Sequence, residues 1–524
     1  METQIRNMPI GIQDFEKLRT GNYVYVDKTA FVYRLAQTLN PYFLSRPRRF
    51  GKSLFLSTLK YYFLGEKELF EGLKVAELEK DWIKYPVFHI EFNIESYIDV
   101  NSLNQALESN LSILEKIWGK DVTENTYPSR FRGLIRRAAE KTGKRVVVLV
   151  DEYDKPLLST MHDEQLNEEF RTILKGFYGV LKGEDANLRF AFLTGVTKFS
   201  KVSIFSDLNQ LRDISMTEEF AEICGISETE LKANFTPDVE RLAERNKISV
   251  EAAFDKLKQR YDGYHFSKQQ EGVYNPFSLL NVFADKSFGN YWFATGTPTF
   301  LVKMLKGAKL DITKLEGNTR IDALSIMDYR AESKNPVPVM YQSGYLTIRG
   351  FDEERNQYEL GYPNEEVKYG FLKELLSVYY SNEEERTEID YNKFVDDLLN
   401  EDVGAFMQRL QVFFSGFSYD LENKTEKHYQ TVFYILFALM GQRVAVEPHY
   451  AVGRPDAVLE FKELAYIFEF KLDGNGTAEE ALQQIEEKDY AGKYHLSGKK
   501  IIKVGVEFDH EKRNVKRWKV NRAQ

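Results

Sequence analysis

The chain has 524 residues, of which 43% are hydrophobic, and this composition excludes general disorder and, at this length, a single ordinary core. Its formal net charge of −9 excludes a surface that is basic throughout, so a nucleic-acid partner needs a local basic patch. The single cysteine, Cys224, excludes an internal disulfide framework and a cysteine-rich zinc site, and we expect it to be a small buried residue.

The N-terminal residues METQIRNMPIGIQDFEKL lack the apolar run of a signal peptide. No later stretch approaches the roughly 18 apolar residues of a membrane-spanning helix. We therefore expect a cytoplasmic protein that has no membrane partner.

Residues 1–215 alternate short apolar runs with amphipathic stretches. The apolar runs lie at 41–45, 85–93, 145–151 and 188–195, and each predicts a buried strand. Helical patterns separate these runs, and such alternation is typical of a parallel sheet covered by helices. We expect residues 1–215 to form one domain.

The stretch FLSRPRRFGKSLFLSTL places Gly51, Lys52 and Ser53 between a predicted strand and a predicted helix. These residues fit the last three positions of the phosphate-binding pattern G-x-x-x-x-G-K-[ST]. The amides at the start of such a helix cradle an anion, the lysine reaches the outer phosphates, and the hydroxyl can bind Mg²⁺. We predict that all three residues bind a nucleotide and that Ser53 is also a metal ligand.

Arg46 occupies the position of the first glycine in that pattern. Glycine adopts a positive φ readily and arginine does not, so the geometry of the turn stays open. Two interpretations of Arg46, Arg48 and Arg49 remain, because they can either add positive charge near the phosphates or form a solvated basic loop. On the first interpretation, Arg49 is a nucleotide-binding residue.

Two later predicted strands end in polar residues. The run VVVLVDEYD ends in Asp151 and Glu152. The first acid after such a strand holds Mg²⁺, and the next can polarise the attacking water, so we assign Asp151 to the nucleotide-bound metal and Glu152 to catalysis. The run FLTGVTKFS places Thr194 beside the expected γ-phosphate, although an ordinary cap at the strand end is the alternative reading.

The stretches MPIGIQDFEKL, YVDKTAFVYRL, FLSRPRRFGKSLFLSTL, VLVDEYDKPL and FLTGVTKFSKVSIFSDLNQLRDIS together resemble the AAA-ATPase-like family, in which they occur in this order. The resemblance covers about residues 5–215 and extends to about 300 through YDGYHF and YNPFSLLN. It implies ATP binding and, as a further expectation, ATP hydrolysis. It also implies that RPRRFGKS is a family trait. Asp27 in YVDKT either contacts the nucleotide or caps the following helix, and we favour the capping role.

From 216 to 390 the pattern is mostly helical, and we predict a helical middle domain there. The acidic run SNEEERTEID at 381–390 is either a linker or an exposed helix end. The histidines His265 and His449 do not cluster with acids at ligand spacing, so we expect them to be packing or surface groups.

Residues 391–524 change from helical to strand patterns and predict a separate α/β domain. Strand alternation in IFEFK places Glu469 and Lys471 on one face. An antiparallel neighbour that begins at Asp456 can bring its carboxylate beside Glu469. Two carboxylates on adjacent strands suit Mg²⁺ or Mn²⁺. Lys471 can orient water or stabilise phosphate charge there.

These motifs, PD in GRPDAVLEF and ExK in IFEFK, resemble the PD-(D/E)XK nuclease superfamily over about residues 422–509. The resemblance implies metal-dependent cleavage of nucleic acid by Asp456, Glu469 and Lys471, with both acids as metal ligands. It also implies that Glu426, in the helix before the motif, is a further metal ligand.

Two more features bear on nucleic-acid contact. Gln484, in the helix after the motif, fits a polar position near the metal or the nucleic-acid backbone. Some relatives have Q-x-x-x-Y in this helix, but this chain has Lys488 at the tyrosine position. The basic tail at 511–524 contains Trp518 and suits phosphate contact with base stacking, or it is simply solvated.

The sequence thus predicts an α/β multidomain protein with a P-loop NTPase core, in which helices flank a parallel sheet, a helical middle segment and a C-terminal restriction-endonuclease-like α/β domain. The expected function is ATP binding and hydrolysis joined to a Mg²⁺-dependent or Mn²⁺-dependent nuclease acting on DNA or RNA. One alternative is an ATP-dependent switch whose nuclease-like domain binds nucleic acid or protein without cleaving it. Another is a scaffold in which Arg46 makes the loop inert. The oligomeric state stays open.

Overall fold

The computed structural model describes residues 6–93, 96–161, 163–198, 210–268, 271–295, 312–327, 335–379, 390–415, 426–440, 444–445, 455–495, 498–509, 511–512 and 514–523. The acidic run at 381–389 and His449 lie outside these residues. The chain forms two compact units. Unit 1 comprises Met1–Leu310 and Leu315–Lys368, and unit 2 comprises Asp311–Lys314 and Tyr369–Gln524.

A five-stranded sheet forms the centre of unit 1. Its strands are β1 (Pro41–Ser45), β2 (Val87–Glu91), β3 (Val146–Asp151), β4 (Leu188–Gly195) and β5 (Arg212–Asp213). Their order is β2-β3-β4-β1-β5, and every neighbouring pair is parallel. The predicted parallel sheet is therefore confirmed. Because the strands are parallel, β1, β3 and β4 end at one edge, where the loop before Gly51 meets the acids after β3.

Helices cover this sheet. They are α1 (Phe15–Thr20), α2 (Thr29–Ala36), α3 (Lys52–Phe63), α4 (Lys74–Leu78), α5 (Val100–Trp118), α6 (Tyr127–Thr142), α7 (Lys155–Ser159) and α8 (Glu164–Gly183). The apolar faces of α5, α6 and α8 share one core with β2, β3 and β4. In that core the rings of Phe131 and Phe177 stack with centroids 4.7 Å apart. This burial provides the main hydrophobic stabilisation of the sheet.

The middle of the chain is helical, as predicted, but it also contains strands. The helices are α9 (Glu228–Asn246), α10 (Val250–Tyr261), α11 (Pro276–Asp285), α12 (Val337–Ser343) and α13 (Glu365–Tyr379). A short pair, β6 (Ile226–Ser227) and β7 (Val273–Tyr274), is antiparallel. A three-stranded antiparallel sheet consists of β8 (Glu316–Asp322), β9 (Thr347–Asp352) and β10 (Gln357–Gly361). Strand β8, EGNTRID, lacks the apolar alternation by which strands are recognised.

Unit 2 contains a mixed sheet with helices. Its elements are α14 (Tyr391–Leu399), α15 (Val403–Ser415), α16 (Glu426–Leu439), β11 (Val444–Ala445), β12 (Ala457–Glu460), β13 (Leu464–Leu472), α17 (Ala478–Glu487), α18 (Gly492–His495), β14 (Lys500–Asp509) and β15 (Asn514–Ala523). The strand order is β11-β12-β13-β14-β15, with only β13 and β14 parallel.

Strand β13 has two chemically different faces. Phe470 packs 4.4 Å from Phe433 of α16, and Phe468 packs 5.3 Å from Phe437 of the same helix, measured between ring centroids. Because side chains alternate along a strand, Glu469 lies on the opposite face. The apolar face of β13 thus anchors the strand, and the polar face carries the predicted motif.

The basic C-terminal segment is a strand rather than a tail, because β15 pairs along its length with β14. Its cations are also largely paired: Lys516 contacts Glu507 and Asp473, Arg517 contacts Glu507 and Glu479, and Lys519 contacts Glu479. This pairing reduces the charge that the segment can offer to a phosphate backbone.

Among the described residues, no helix combines the length and apolar character that crossing a membrane requires.

Candidate functional site

The first candidate site lies where β1 ends and α3 begins. Gly51 precedes α3 and has a φ of 88°, in the left-handed region that favours glycine. Apart from the two adjoining residues, no residue has an atom within 4 Å of the position that a Cβ would take there. The first amides of the 12-residue helix α3 therefore have open space beside them, as an anion site at a helix N-terminus requires. Ser53, the second residue of α3, is half-buried.

Arg46 takes neither of the roles considered from the sequence, because it is 1% exposed and faces the protein interior. Its Nη1 donates to the carbonyl oxygens of Ser45 (2.9 Å) and Ser215 (2.7 Å), and its Nη2 donates to that of Phe220 (2.9 Å). Its guanidinium carbon also lies 4.1 Å from the ring centroid of Phe266. Arg46 therefore ties the start of the loop to distant segments and is not a phosphate ligand. Its φ is not positive, so this position does not need glycine.

Replacing Arg46 by glycine, which restores the general pattern, is expected to lower the free energy of unfolding of unit 1 by about 3–5 kcal/mol. The variant leaves several buried carbonyl groups unpaired and a cavity against Phe266. Urea denaturation measures the loss. Arg48→Gly, at a half-buried position in the same loop, is the matched control. Equal stability of the Arg46→Gly variant and the wild type would contradict the conclusion that Arg46 ties the loop to distant segments.

Arg49, by contrast, is exposed and has a φ of 68°. Its guanidinium carbon lies 4.6 Å from the ring centroid of Phe277. A left-handed φ in a residue other than glycine is uncommon and marks positions that are held in place. Arg49 is therefore positioned on the loop by an aromatic contact, and its role toward a nucleotide remains a prediction.

Lys52 reaches back over the loop. Its Nζ donates to the carbonyl oxygens of Arg46 (2.9 Å) and Pro47 (3.0 Å), and the side chain is almost fully buried. Burial lowers the pKa of Lys52, while the nearby charges of Glu152 and Asp151 act in the opposite direction. The predicted phosphate-binding lysine and the predicted acids thus share one electrostatic environment.

The acids after β3 differ in their surroundings. Asp151 is 5% exposed, and its Oδ1 accepts a hydrogen bond of 3.0 Å from the amide of Glu152. Glu152 has a left-handed φ of 51°, and burial raises the pKa of its carboxyl group. Such backbone strain is often found at functional sites. A raised pKa favours proton acceptance near neutral pH, as a general base requires.

Thr194 lies at the end of β4 between the two predicted halves of the site, opposite Leu44 of β1. It is fully buried, and its Oγ1 has no hydrogen-bond partner among the described residues. This unsatisfied hydroxyl distinguishes Thr194 from an ordinary cap, because a cap would bond to a backbone group.

Asp154 is a site residue that sequence reasoning missed, although it is the last acid of DEYD. Its Oδ2 accepts hydrogen bonds from the amides of Val196 (3.0 Å) and Thr197 (2.6 Å). It also lies near enough to Lys52 for their charges to interact. Asp154 thus fixes the chain directly after Thr194.

An apolar cavity of about 100 Å³ lies beside the first turn of α3. Its walls include Gly51, Leu54, Val26 and Leu280, together with the buried Cys224. The apolar lining suits a flat aromatic base next to bound phosphates, and the volume of the cavity is below the roughly 300–1,000 Å³ that is common for small-molecule sites.

Two residues near this cavity, Asp27 and Lys28, have structural roles. Asp27 accepts hydrogen bonds from the amides of Thr29 (2.8 Å) and Lys74 (2.7 Å), so it caps the starts of two helices. This agrees with the capping role that we favoured. Lys28 lines the cavity and forms a 2.6 Å ion pair with Glu230 of α9.

The second candidate site lies on the polar face of β13. Ala457, the first residue of β12, pairs with Phe468, which places the preceding residue, Asp456, beside Glu469. The Oδ2 of Asp456 accepts a 2.7 Å hydrogen bond from the amide of Phe470. Glu469 is 3% exposed, and its Oε2 has no hydrogen-bond partner among the described residues. Burial, with the nearby charge of Asp456, raises the pKa of Glu469 to about 8.

Lys471 and Gln484 complete the cluster. The Nζ of Lys471 donates to the Oε1 of Gln484 (2.7 Å) and lies 3.6 Å from the Oε1 of Glu469. Gln484 donates through its Nε2 to the same Glu469 oxygen. The structure thus brings Asp456, Glu469, Lys471 and Gln484 together. Gln484 links the carboxyl group of Glu469 to the ammonium group of Lys471.

Close packing brings Gln484 into the site. A Cβ at Gly505 of β14 would lie 2.2 Å from the carbonyl oxygen of Ala478, so glycine lets α17 approach the sheet. Sequence reasoning missed Tyr490, which is 3% exposed and hydrogen-bonds to Gln484, and burial raises its pKa. It lies two residues beyond Lys488, outside the Q-x-x-x-Y spacing.

The residues fit a divalent cation in part. Two carboxylates approach each other, and a buried oxygen of Glu469 has no partner in the described part of the chain. A cation there would offset the charge of Asp456, which adds to the effect of burial in raising the pKa of Glu469. Within the described residues no group of three or more His, Cys, Asp or Glu forms a metal cluster. The side chain of Glu426, the third predicted acid, lies outside the described part.

Replacing Glu469 by glutamine is expected to stabilise unit 2 by about 2 kcal/mol at pH 8.5 without divalent metal. Glu469 holds its proton more tightly in the folded chain than in the unfolded chain. The wild type therefore loses stability as pH rises from the ordinary carboxyl range to about 8, and glutamine does not ionise. The gain should vanish near pH 5.

Hydrogen exchange of amides in β13 and β14, measured from pH 5 to 8.5, tests this expectation. Glu463→Gln replaces an exposed acid in the same unit and is the control. The same pH dependence in Glu469→Gln and in the wild type would contradict the buried, acid-paired environment of Glu469.

Two family models match the chain. The model described as Predicted AAA-ATPase matches residues 9–205, and the PD-(D/E)XK nuclease superfamily matches residues 424–518. A curated relative, the "Uncharacterized protein in vnfD 5'region" of Azotobacter chroococcum mcd 1, is 40% identical over 519 residues, covering 97% of this chain and 98% of that protein. Both resemblances stated from the motifs are confirmed. The chain belongs to the AAA-ATPase-like family and carries a C-terminal domain of the PD-(D/E)XK nuclease superfamily.

Proposed function

We propose that unit 1 binds and hydrolyses ATP. The amides that follow Gly51 hold the phosphates, and Lys52 leaves its two carbonyl acceptors to contact the outer phosphate groups. The apolar cavity beside α3 takes the base. The open space at Gly51 and the shared environment of Lys52 and the acids after β3 support this proposal.

Hydrolysis is assigned to the edge where β3 and β4 end. Ser53 and Asp151 are the residues that would hold Mg²⁺, which supplies positive charge against the phosphates when bound. Glu152 accepts the proton of the attacking water, consistent with its raised pKa. Thr194 donates its otherwise unsatisfied hydroxyl toward the terminal phosphate. Arg49 lies on the same loop and adds positive charge at its surface.

We propose that unit 2 cleaves phosphodiester bonds in nucleic acid. Asp456 and Glu469 would hold Mg²⁺ or Mn²⁺, with Glu426 as a further ligand. A cation held there would supply Lewis acidity at the phosphodiester. Lys471, kept in place by Gln484, directs its ammonium group at the phosphate charge that develops in the reaction.

The observation that carries this proposal is the pair formed by Asp456 and Glu469. A buried carboxylate with an unsatisfied oxygen beside a second carboxylate is costly for stability alone. A bound cation offsets that cost, so the arrangement is better explained by metal binding than by folding. The position of Lys471, whose Nζ lies 3.6 Å from the Oε1 of Glu469, favours cleavage over binding alone.

A cleavage panel tests the proposed nuclease. Single-stranded DNA, double-stranded DNA, single-stranded RNA and an RNA–DNA hybrid are each incubated with the full chain and Mg²⁺, Mn²⁺ or EDTA, with and without ATP. We expect metal-dependent cleavage of at least one substrate, lost in Asp456→Ala. Binding of nucleic acid without cleavage by the wild type under every condition would instead favour the regulatory switch. DNA or RNA preference, ATP coupling and the expected cytoplasmic location remain predictions until measured.

A further inference from the structure

A second, polar cleft lies within unit 1, and its lining includes none of the P-loop residues. Its volume is about 760 Å³, within the roughly 300–1,000 Å³ that is common for small-molecule sites. It lies between the end of α10, the start of α9, strand β9 and the start of α13. One family model ends at residue 205, before the residues of the cleft, and the other begins at residue 424, after them. Nothing in the ATPase or nuclease roles uses this cleft.

Two side chains in the cleft lining, Asp262 and His265, have unsatisfied polar atoms. Asp262 is 7% exposed, and its Oδ1 has no hydrogen-bond partner within the described part of the chain. The Nδ1 of the half-buried His265 likewise has none there. Gly263, between them, has a φ of 94°, and a Cβ at this position would lie 2.2 Å from the carbonyl oxygen of Pro363. The backbone thus fixes two polar groups whose burial costs stability unless a partner satisfies them.

The walls of the cleft add two cations with spare donors. Arg349 donates through its Nη2 to the carbonyl oxygens of Tyr362 and Pro363, and its other nitrogens have no acceptor among the described residues. Lys258 is exposed and forms no ion pair with a described residue. Both cations lie close enough to Asp262 to favour its charged form, although burial has the larger effect and raises its pKa.

The charge of the cleft decides the class of ligand. Its lining contains five carboxylates and three cations, together with His265. A purely anionic ligand would meet the five acids of the lining, among them Glu271 and Glu365. A purely cationic ligand would meet Arg349 and Lys258. A ligand with groups of both signs can satisfy both sets at once.

We propose that this cleft is a binding site for a zwitterionic ligand of the amino-acid or short-peptide type. The carboxylate of the ligand lies beside Arg349 and Lys258. Its ammonium group faces the acids, with Asp262 at the floor. His265, expected from the sequence to be a packing group, becomes a ligand contact through Nδ1.

The cleft shares a wall with the nucleotide site. On one side, Asp262 and His265 line the cleft. On the other, the ring of Tyr264 lies 4.7 Å from that of Phe50 in the P-loop, and Phe266 lies 5.4 Å from Phe50. A ligand that fixes this segment therefore alters the support of the loop. This regulatory part of the inference rests on the proposed ATP site, but ligand binding itself does not.

Calorimetric titration of the full chain, without nucleotide, tests the site. The probes are an equimolar mixture of the twenty amino acids and, separately, the tetrapeptide Gly-Lys-Glu-Gly. We expect at least one probe to bind the wild type and to bind at least about tenfold more weakly to Arg349→Gln and Lys258→Ala. Lys256→Ala, on the same helix but outside the cleft lining, should bind like the wild type. Thermal unfolding checks that each variant is folded.

The two probes distinguish a free amino acid from a peptide. No binding of either probe to the wild type, or equal binding to both folded cleft variants and the wild type, would overturn the site. ATP affinity is then measured with and without saturating probe, and a change of at least about threefold is expected. An unchanged ATP affinity overturns the regulatory part alone. Absence of ATP binding refutes the proposed ATP site and leaves the cleft titration standing.

Discussion

Replacing Asp456 by asparagine is expected to reduce metal-dependent cleavage by about 1,000-fold or more. The substitution keeps the size of the side chain and removes one of the two charges that attract the cation. It also removes the charge of Asp456, which adds to burial in raising the pKa of Glu469, so folding should not suffer. The loss should therefore appear in cleavage rate and not in thermal stability. Initial rates on the best substrate of the panel, at saturating Mg²⁺, measure it.

The control for this variant is Asp473→Asn, which removes a nearby acid that pairs with Lys516 instead of lying beside Glu469. It should cleave at the wild-type rate. Lys471→Ala should lose about 100-fold or more in rate while still binding metal, because it removes phosphate stabilisation and leaves both carboxylates. Cleavage by Asp456→Asn within a few-fold of the wild type would exclude this cluster as the reaction site.

Replacing Lys52 by alanine is expected to weaken ATP binding by at least about 100-fold, or roughly 3 kcal/mol. Its ammonium group is the only predicted phosphate ligand that is both charged and buried at the loop. Glu152→Gln should bind ATP normally but lower hydrolysis by about 100-fold or more, because glutamine cannot accept the proton of water. Titration with a fluorescent ATP analogue and phosphate release measure the two steps separately.

Lys67→Ala, an exposed lysine in the same unit, is the matched control and should behave like the wild type. If Lys52→Ala binds ATP with unchanged affinity, the nucleotide does not use this loop. The pair of variants also tests coupling between the two activities. A nucleotide effect on cleavage that persists in Lys52→Ala would contradict a signal from this ATP site to the nuclease site.

Much of the fold follows from hydrophobic runs in the sequence. The strands β1, β3 and β4 are short, apolar and buried on both sides, so their composition alone distinguishes them from the amphipathic helices. The pairing of β12 with β13 also follows from alternation, which placed Asp456 beside Glu469 correctly. Alternation predicts the pairing there because the side chains on one face of each strand share a single environment.

Other features depend on contacts that no local pattern contains. Arg46 is buried because carbonyl groups of Ser215 and Phe220, about 170 positions further along the chain, accept its hydrogen bonds. The basic loop in the sequence therefore did not indicate that Arg46 is buried and bonded to distant carbonyl groups. The strand β15 was overlooked because its cations resemble a solvated tail until Glu507 and Glu479 are placed beside them.

Calorimetric titration of Mn²⁺ into the full chain at pH 7.5 tests the central claim most directly, because it requires no knowledge of the nucleic-acid substrate. With ATP absent, the wild type is expected to show a Mn²⁺ site that is at least about tenfold weaker in Asp456→Asn and unchanged in Asp473→Asn. Indistinguishable Mn²⁺ binding by the wild type and Asp456→Asn would contradict the claim that Asp456 and Glu469 share a catalytic cation.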